Sequence, residues 1–371
     1  MTLPRKYLSL LALAASLLFF APQQAHAAPH LELALQDDAV LLQKLYYNQD
    51  LALRQIQALG VRHIRANLIW TRVLPGWETN RRFQPPTLHY NWSQYDQLVD
   101  AAARYGMRVQ LTIAGPAPAW ATGNHVVGVY KPNAGKFGAF TRSAAAHFRG
   151  RVSRYSIWNE PNYVGWLKPL RSGPKIYRGL MASGYRGIKS VDSGAQVLFG
   201  ETVPFAIKGR ATSPLWFLRG ATCVNRHWKR GCRKGLRADG YAHHPYDFTH
   251  SPHFRYPGKD NVTIGTLGRL NKALRRLAHN GSLRTSRGRR LNVYLTEFGY
   301  FSRGKRRISA GRRAKYLRQA YGIARRTPHV EQLLQYLLVS PPRALGNFDT
   351  ALLGRNGRLT SVYHAVRKAA H

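Results

Sequence analysis

The stretch Ser156-Ile157-Trp158-Asn159-Glu160-Pro161-Asn162 is a β-rich run that ends in a glutamate and then turns. A second stretch, Val293-Tyr294-Leu295-Thr296-Glu297-Phe298-Gly299-Tyr300, has the same form. Working outward from these two, apolar strand-like runs begin near Leu33, His63, Arg108, Ser153, Gln196, Ala238, Asn292 and Gln332, on average about 43 residues apart. Helical patterns lie between them. Alternation of strand and helix at this spacing predicts a parallel sheet, and eight units predict one α/β domain, a single (β/α)8 TIM barrel over 28–371 with loop insertions on its C-terminal face.

The helical patterns have stripes and ends. Asp50 to Leu59 places Leu53, Ile56 and Leu59 on one face and stops at Gly60. Ser93 is a candidate cap for a helix to Tyr105, closed by Gly106, and Ser309 for one through Arg326. Residues 134–148 carry Phe137, Phe140, Ala144 and Phe148 at helical spacing. Residues 174–191 open with Pro174 in the first turn. Thr266 to His279 repeats Leu267, Leu270, Leu274 and Leu277. Two insertions, 204–237 and 248–262, follow strand candidates and are expected on the C-terminal face.

The 371 residues include 57 Lys plus Arg and 16 Asp plus Glu, a formal charge of +41. A hydrophobic content of 44% supports a large core and excludes wholesale disorder. Such charge first suggests an acidic partner, whether nucleic acid, anionic lipid or acidic polysaccharide; a bias to Arg on solvated faces is the alternative. The N-terminus narrows the choice. Arg5 and Lys6 precede the apolar run Leu8 to Phe20, and Ala25-His26-Ala27 fits a cleavage site, so residues 1–27 read as a secretory signal peptide. The run is too short to span a bilayer, so no stable membrane insertion is expected after cleavage. The expected location is secreted or extracellular, with the cell envelope open, and nucleic acid drops out as a partner. Cys223 and Cys232 are then expected to form a local disulfide. Two cysteines without metal-spaced partners make no zinc site. There is no HExxH, no phosphate-cradling Gly-rich loop and no Ser nucleophile elbow, so neither metal nor cofactor is expected.

Acids are scarce. Of only six glutamates, Glu160, Glu201 and Glu297 end candidate strands 4, 5 and 7, while Asp37, Asp38 and Asp247 sit similarly after strands 1 and 6. Surface solubility does not explain acids at one rim of a basic protein.

With these motifs the chain resembles the clan-A retaining glycoside hydrolases, the superfamily of family 5 cellulases and family 39 enzymes, over essentially its whole length after the signal. In that superfamily the acid/base Glu follows Asn at the end of strand 4 and the nucleophile Glu ends strand 7. The resemblance therefore implies a retaining O-glycosidase acting on a polysaccharide or oligosaccharide, with Glu160 as acid/base and Glu297 as nucleophile. That chemistry needs two carboxyl groups about 5–5.5 Å apart. It also implies substrate-binding roles: Arg65 as the strand 2 Arg that bonds the nucleophile, Asn159 as the partner of the sugar 2-OH, and His244 and Tyr246 as the strand 6 pair, with His243 a weaker candidate. The strand 8 Trp of the superfamily is missing from Gln335-Tyr336-Leu337-Leu338; Tyr336 or Phe348 is expected in its place. Trp120, Trp158, Trp166 and Trp216 are candidate sugar platforms, Trp120 foremost. Glu201 either binds substrate or partners a rim Arg. Between Arg269 and Arg313 there are fourteen basic residues and one acid, Glu297, so the substrate is open to being anionic. A non-catalytic basic barrel binding an anionic glycan or cell-surface polymer is the competing reading.

Overall fold

The computed structural model describes residues 31–370; the expected signal peptide, 1–27, lies outside them. Eight parallel strands close a barrel in the cyclic order 1-8-7-6-5-4-3-2. They are β1 (Glu32–Gln36), β2 (His63–Ile69), β3 (Arg108–Ala114), β4 (Val152–Ile157), β5 (Gln196–Thr202), β6 (Gly240–His243), β7 (Val293–Phe298) and β8 (Val330–Tyr336). Each starts within a few residues of the position the apolar runs indicate. After each strand comes one principal helix: α1 (Gln49–Ala58), α2 (Ser93–Arg104), α3 (Ala134–His147), α4 (Gly173–Lys189), α5 (Pro214–Thr222), α6 (Leu267–His279), α7 (Ala310–Arg326) and α8 (Ser361–Ala370). No helix of the described residues is long and apolar enough to cross a membrane.

The stripes explain why the helices pack where they do. Leu267, Leu270, Leu274 and Leu277 of α6 are buried, while Arg275 and Arg276 face out. Phe137 and Phe140 of α3 are fully buried, with Phe140 stacked on Trp70 at 5.0 Å between centroids. Side-chain oxygens of Asn133 and Ser309 cap α3 and α7 by accepting backbone N–H bonds. Ser93 is the first residue of α2 rather than its cap; its N–H donates to the Asn91 side chain at 3.0 Å. The N-terminal end of the barrel is plugged by polar side chains: Arg154 donates to Glu32 at 2.7 and 3.2 Å and lies 4.5 Å over the Tyr294 ring.

The insertion 204–237 does not lie wholly on the C-terminal face. Only its first part, to Ser213, stays at the mouth. Helix α5 then carries the chain back along the wall, so the disulfide Cys223–Cys232 sits at the opposite end. There Leu236–Arg237 pair with Leu283–Arg284, just ahead of β6 and β7. The physical reason is the helix itself: every barrel helix runs antiparallel to its strand, and Ser213-Pro214 starts one here.

Candidate active site

Side chains from five strands converge on one buried guanidinium. Arg65, projecting from β2 and 1% exposed, donates to Glu297 Oε1 at 2.8 Å, Asn159 Oδ1 at 2.8 Å, Glu201 Oε2 at 3.1 Å and Thr112 Oγ1 at 2.9 Å, and also to Gln36. Arginine suits this position because its planar fork serves several acceptors at once and stays charged when buried. Closure of the barrel is what brings acceptors from β1, β3, β5 and β7 and from the β4 end to one point.

On the other side of the carboxylates sits His244, just past β6 and fully buried. Its Nε2 lies 2.7 Å from Glu201 Oε2 and its Nδ1 3.1 Å from Glu160 Oε1 and 3.7 Å from Glu297 Oε2. Burial would lower its pKa, but the Glu297 charge and the bonds to Glu160 and Glu201 raise it to about 9. With a carboxyl oxygen at each nitrogen, the ring as an imidazolium donates twice. Glu201 is likewise fully buried, accepting from Thr296 Oγ1 at 2.6 Å and Thr112 Oγ1 at 3.3 Å. Burial favours its neutral form, yet Arg65 and then His244 outweigh this and hold it down at about 2. Glu201 is absent from the cavity lining. It therefore partners Arg65 and His244 from behind, the second of the two roles open to it.

Glu160 and Glu297 face the cavity. Burial, the largest influence, together with the Glu297 charge pushes the Glu160 carboxyl above its ordinary value, against His244 and Arg65. Glu297 takes its second donor from Tyr246, whose hydroxyl is 3.2 Å from Oε2. One oxygen each of Glu160 and Glu297 and a ring nitrogen of His244 all lie within 4.8 Å of one another. By composition this trio is able to ligate a cation. The Arg65 and His244 charges already beside it make a dication a poor fit electrostatically. With Glu160 protonated, the cluster holds Arg65 and His244 against Glu201 and Glu297, two charges of each sign.

The backbone turns sharply at the strand ends. Trp158, Glu160 and Glu201 have φ of 65°, 39° and 51°, in the left-handed region that non-glycine residues seldom occupy. The Trp158 indole is buried and donates to the Trp166 carbonyl at 2.6 Å. That bond ties the bend to the following loop.

The cavity in front of the carboxylates has a volume of about 440 Å³. Asn67, Asn159, Tyr246 and Tyr336 line it with the two glutamates, and Trp166, Phe205, Phe248, Phe301 and Phe348 form much of its wall. Tyr336 and Phe348, 5.4 Å apart edge to face, occupy the end of β8 where tryptophan is missing. Of the tryptophan candidates only Trp166 reaches the cavity. Trp120 does not: it is 3% exposed, donates to the Glu78 carbonyl at 3.0 Å and packs edge-on against Trp70. The role expected for Trp120 is thus corrected to a structural one, since the short 3-10 turn Ala119–Ala121 after β3 points its ring into the helix layer. Trp216 lies on the outer face of α5. His243 is also structural, with Thr202 Oγ1 and the Val262 carbonyl each 2.9 Å from its ring nitrogens. Asp37 accepts backbone N–H bonds from Val40, Leu338 and Val339 and knits β1 to β8. Sequence reasoning did not find Thr112, Thr296, Gln36 or the wall residues Phe205, Phe248 and Phe301; a hydroxyl inside a strand carries no local signal of the charge it will meet.

No family model matches the chain, and no curated protein matches it. Solved structures do. The chain is similar to a family 39 glycoside hydrolase from Bacteroides cellulosilyticus WH2, at 20% identity and TM-score 0.63, over 92% of this chain and 63% of that one. A monomeric beta-xylosidase from Caulobacter crescentus CB15 is 17% identical with TM-score 0.58, over 91% and 66%. A GH5-4 broad specificity endoglucanase from Clostridium acetobutylicum is 15% identical with TM-score 0.59, over 92% and 97%. At these identities the likeness is one of fold. The chain spans less than two thirds of the length of the first two.

Proposed function

We propose that the protein is a retaining O-glycoside hydrolase, with Glu297 as nucleophile and Glu160 as acid/base. The observation that carries this reading is the pair itself: two cavity-facing carboxyl groups, oxygens within 4.8 Å, held in opposite settings. An inverting enzyme needs about 6.5–9.5 Å to admit a water between them, whereas a covalent mechanism works at about 5–5.5 Å.

In the first step a Glu297 oxygen attacks the anomeric carbon. The bond from that carbon to the glycosidic oxygen breaks, and the Glu160 proton passes to the departing oxygen. Arg65 and Tyr246 hold the nucleophile by one donor on each oxygen, leaving its outer lone pairs to the sugar. In the second step Glu160 takes a proton from water, the water oxygen bonds to the anomeric carbon, and Glu297 leaves as carboxylate. His244, touching both glutamates, supplies positive charge at the step where Glu160 becomes an anion. Asn159, fixed through its Oδ1 by Arg65, keeps its amide N–H groups for a sugar hydroxyl. The aromatic wall suits the apolar faces of pyranose rings. Action outside the cytoplasm is part of this reading, supported by the leader-like residues 1–27 and the Cys223–Cys232 disulfide.

The test is hydrolysis of an aryl glycoside and polysaccharide panel by Glu160→Ala and Glu297→Ala. Each should lose roughly 10³-fold or more in kcat. Azide should rescue the two variants with glycosyl azides of opposite anomeric configuration. Undiminished hydrolysis by either variant would refute the mechanism.

A further inference from the structure

The mouth of the barrel is lopsided in charge. Its loop acids are spent internally: Asp247 accepts from the His250 ring and backbone, Asp349 from Ser340 and Ala351, and Asp260 from Arg219. What faces solvent there is cationic. The loop 299–309 after β7 holds Arg303, Lys305, Arg306 and Arg307 and no acid. Arg303 is committed, donating to the carbonyls of Pro341 and Gly346 at 2.8 and 2.7 Å, and so pins the loop against the segment after β8.

Arg306 is not committed in this way. Its guanidinium lies 5.5 Å over the Phe248 ring, and among the described residues it pairs with no carboxylate. It lines the catalytic cavity together with Glu160 and Glu297, and it also lines an adjoining concavity of about 270 Å³ with Lys305, Phe301 and Phe348. Arg306 is exposed at the rim of this cavity, so its guanidinium donors are accessible to an anion there.

Resting on the glycosidase reading, we infer that the glycan is anionic and that the sugar adjoining the one cleaved presents a carboxylate or sulfate to Arg306. Lys305 adds charge in the outer concavity, and Phe301 and Phe348 take the apolar faces of the same sugars. The surrounding basic rim gathers such a polymer from solution, an effect that salt screens. The catalytic carboxylates alone would repel an acidic glycan; the mouth cations reverse that sign.

The full-length protein is assayed on uronate polymers (alginate, polygalacturonate, hyaluronan) and sulfated ones (chondroitin sulfate), each beside its carboxyl-reduced or desulfated form. At least one acidic polymer should show kcat/KM tenfold or more above its neutralised form, and the pair that responds identifies carboxylate or sulfate. Arg306→Gln should lower that ratio by roughly 10- to 100-fold. Arg318→Gln, an equal charge change on the outer face of α7, should leave it in place. Two results overturn the inference while the glycosidase reading stands: neutral polymers cleaved as well as acidic ones in a Glu297-dependent manner, or equal effects of the two Arg variants. If no polymer is cleaved and Glu297→Gln binds none, both fall.

Discussion

Replacing Glu201 by Gln keeps the shape of the buried cluster and removes one charge from it. Arg65 and His244 then face Glu297 alone, and a new amide N–H group is placed among donors. The displacement of His244 from 6.5 to about 9 corresponds to about 3 kcal/mol. That of Glu201 from 4.5 to about 2 corresponds to a similar figure. These describe largely one set of contacts and are not summed. Because the folded pKa of His244 is raised, its contribution is complete below 6.5 and is lost as pH rises through about 9. Glu201, with a depressed value, contributes above 4.5 and is lost as pH falls through about 2. At about pH 6 the variant should be less stable by about 3–5 kcal/mol, the cost of breaking a buried pair. Glu201 supplies two of the four influences that raise His244. The deficit should therefore shrink by about 1–2 kcal/mol at about pH 9.5, where His244 is mostly neutral in the wild type. Urea unfolding followed by tryptophan fluorescence at both pH values reads this difference, and other titrating groups cancel between the two proteins. A deficit that stays the same across the range, or never reaches about 1 kcal/mol, would refute the coupling of His244 to Glu201.

Other outcomes follow from the same geometry. Tyr246→Phe removes the hydroxyl donor from Glu297 Oε2 and should lower kcat by about tenfold in the aryl glycoside assay. The kcat/KM profile should fall on its alkaline side as Glu160, whose pKa burial and the Glu297 charge raise, loses its proton; Glu160→Gln with an aryl leaving group that needs no protonation should abolish that limb. Trp120→Phe forfeits the bond to the Glu78 carbonyl and should cost about 1–3 kcal/mol in unfolding experiments while leaving KM unchanged. Reducing Cys223–Cys232 should lower stability by about 2–3 kcal/mol without altering kcat, since the disulfide lies at the far end of the barrel.

The strands were legible because most are short apolar-rich runs, nearly all of whose residues are buried, spaced by helical patterns. Their C-terminal ends were legible because a glutamate there breaks the apolar pattern, as at Glu160 and Glu297. Helix α5 was not legible. Pro214-Leu215-Trp216-Phe217-Leu218 is apolar on nearly every side, so it offers no stripe, and the basic residues after it resemble loop. Its start signal, Ser213-Pro214, was the available clue. The second layer of the site was invisible for a different reason. Thr112 and Thr296 look like ordinary strand threonines, and only barrel closure shows that both hydroxyls point at one buried carboxylate. Trp120 erred in the opposite direction: a tryptophan just past a strand end has the right address, but its orientation depends on packing against Trp70.

The left-handed turns at Trp158, Glu160 and Glu201 carry a consequence for how this molecule is able to change. A residue with a side chain held there costs of order 1–2 kcal/mol that glycine would not. At Trp158 and Glu201 the buried side chains offset that cost, through the indole bond to the Trp166 carbonyl and the contacts with Arg65 and His244; Glu160 differs in facing the cavity. Glycine at 160 would relax the turn and leave the mouth without one of its two carboxyl groups, so at this one bend backbone comfort and the proposed chemistry make opposite demands.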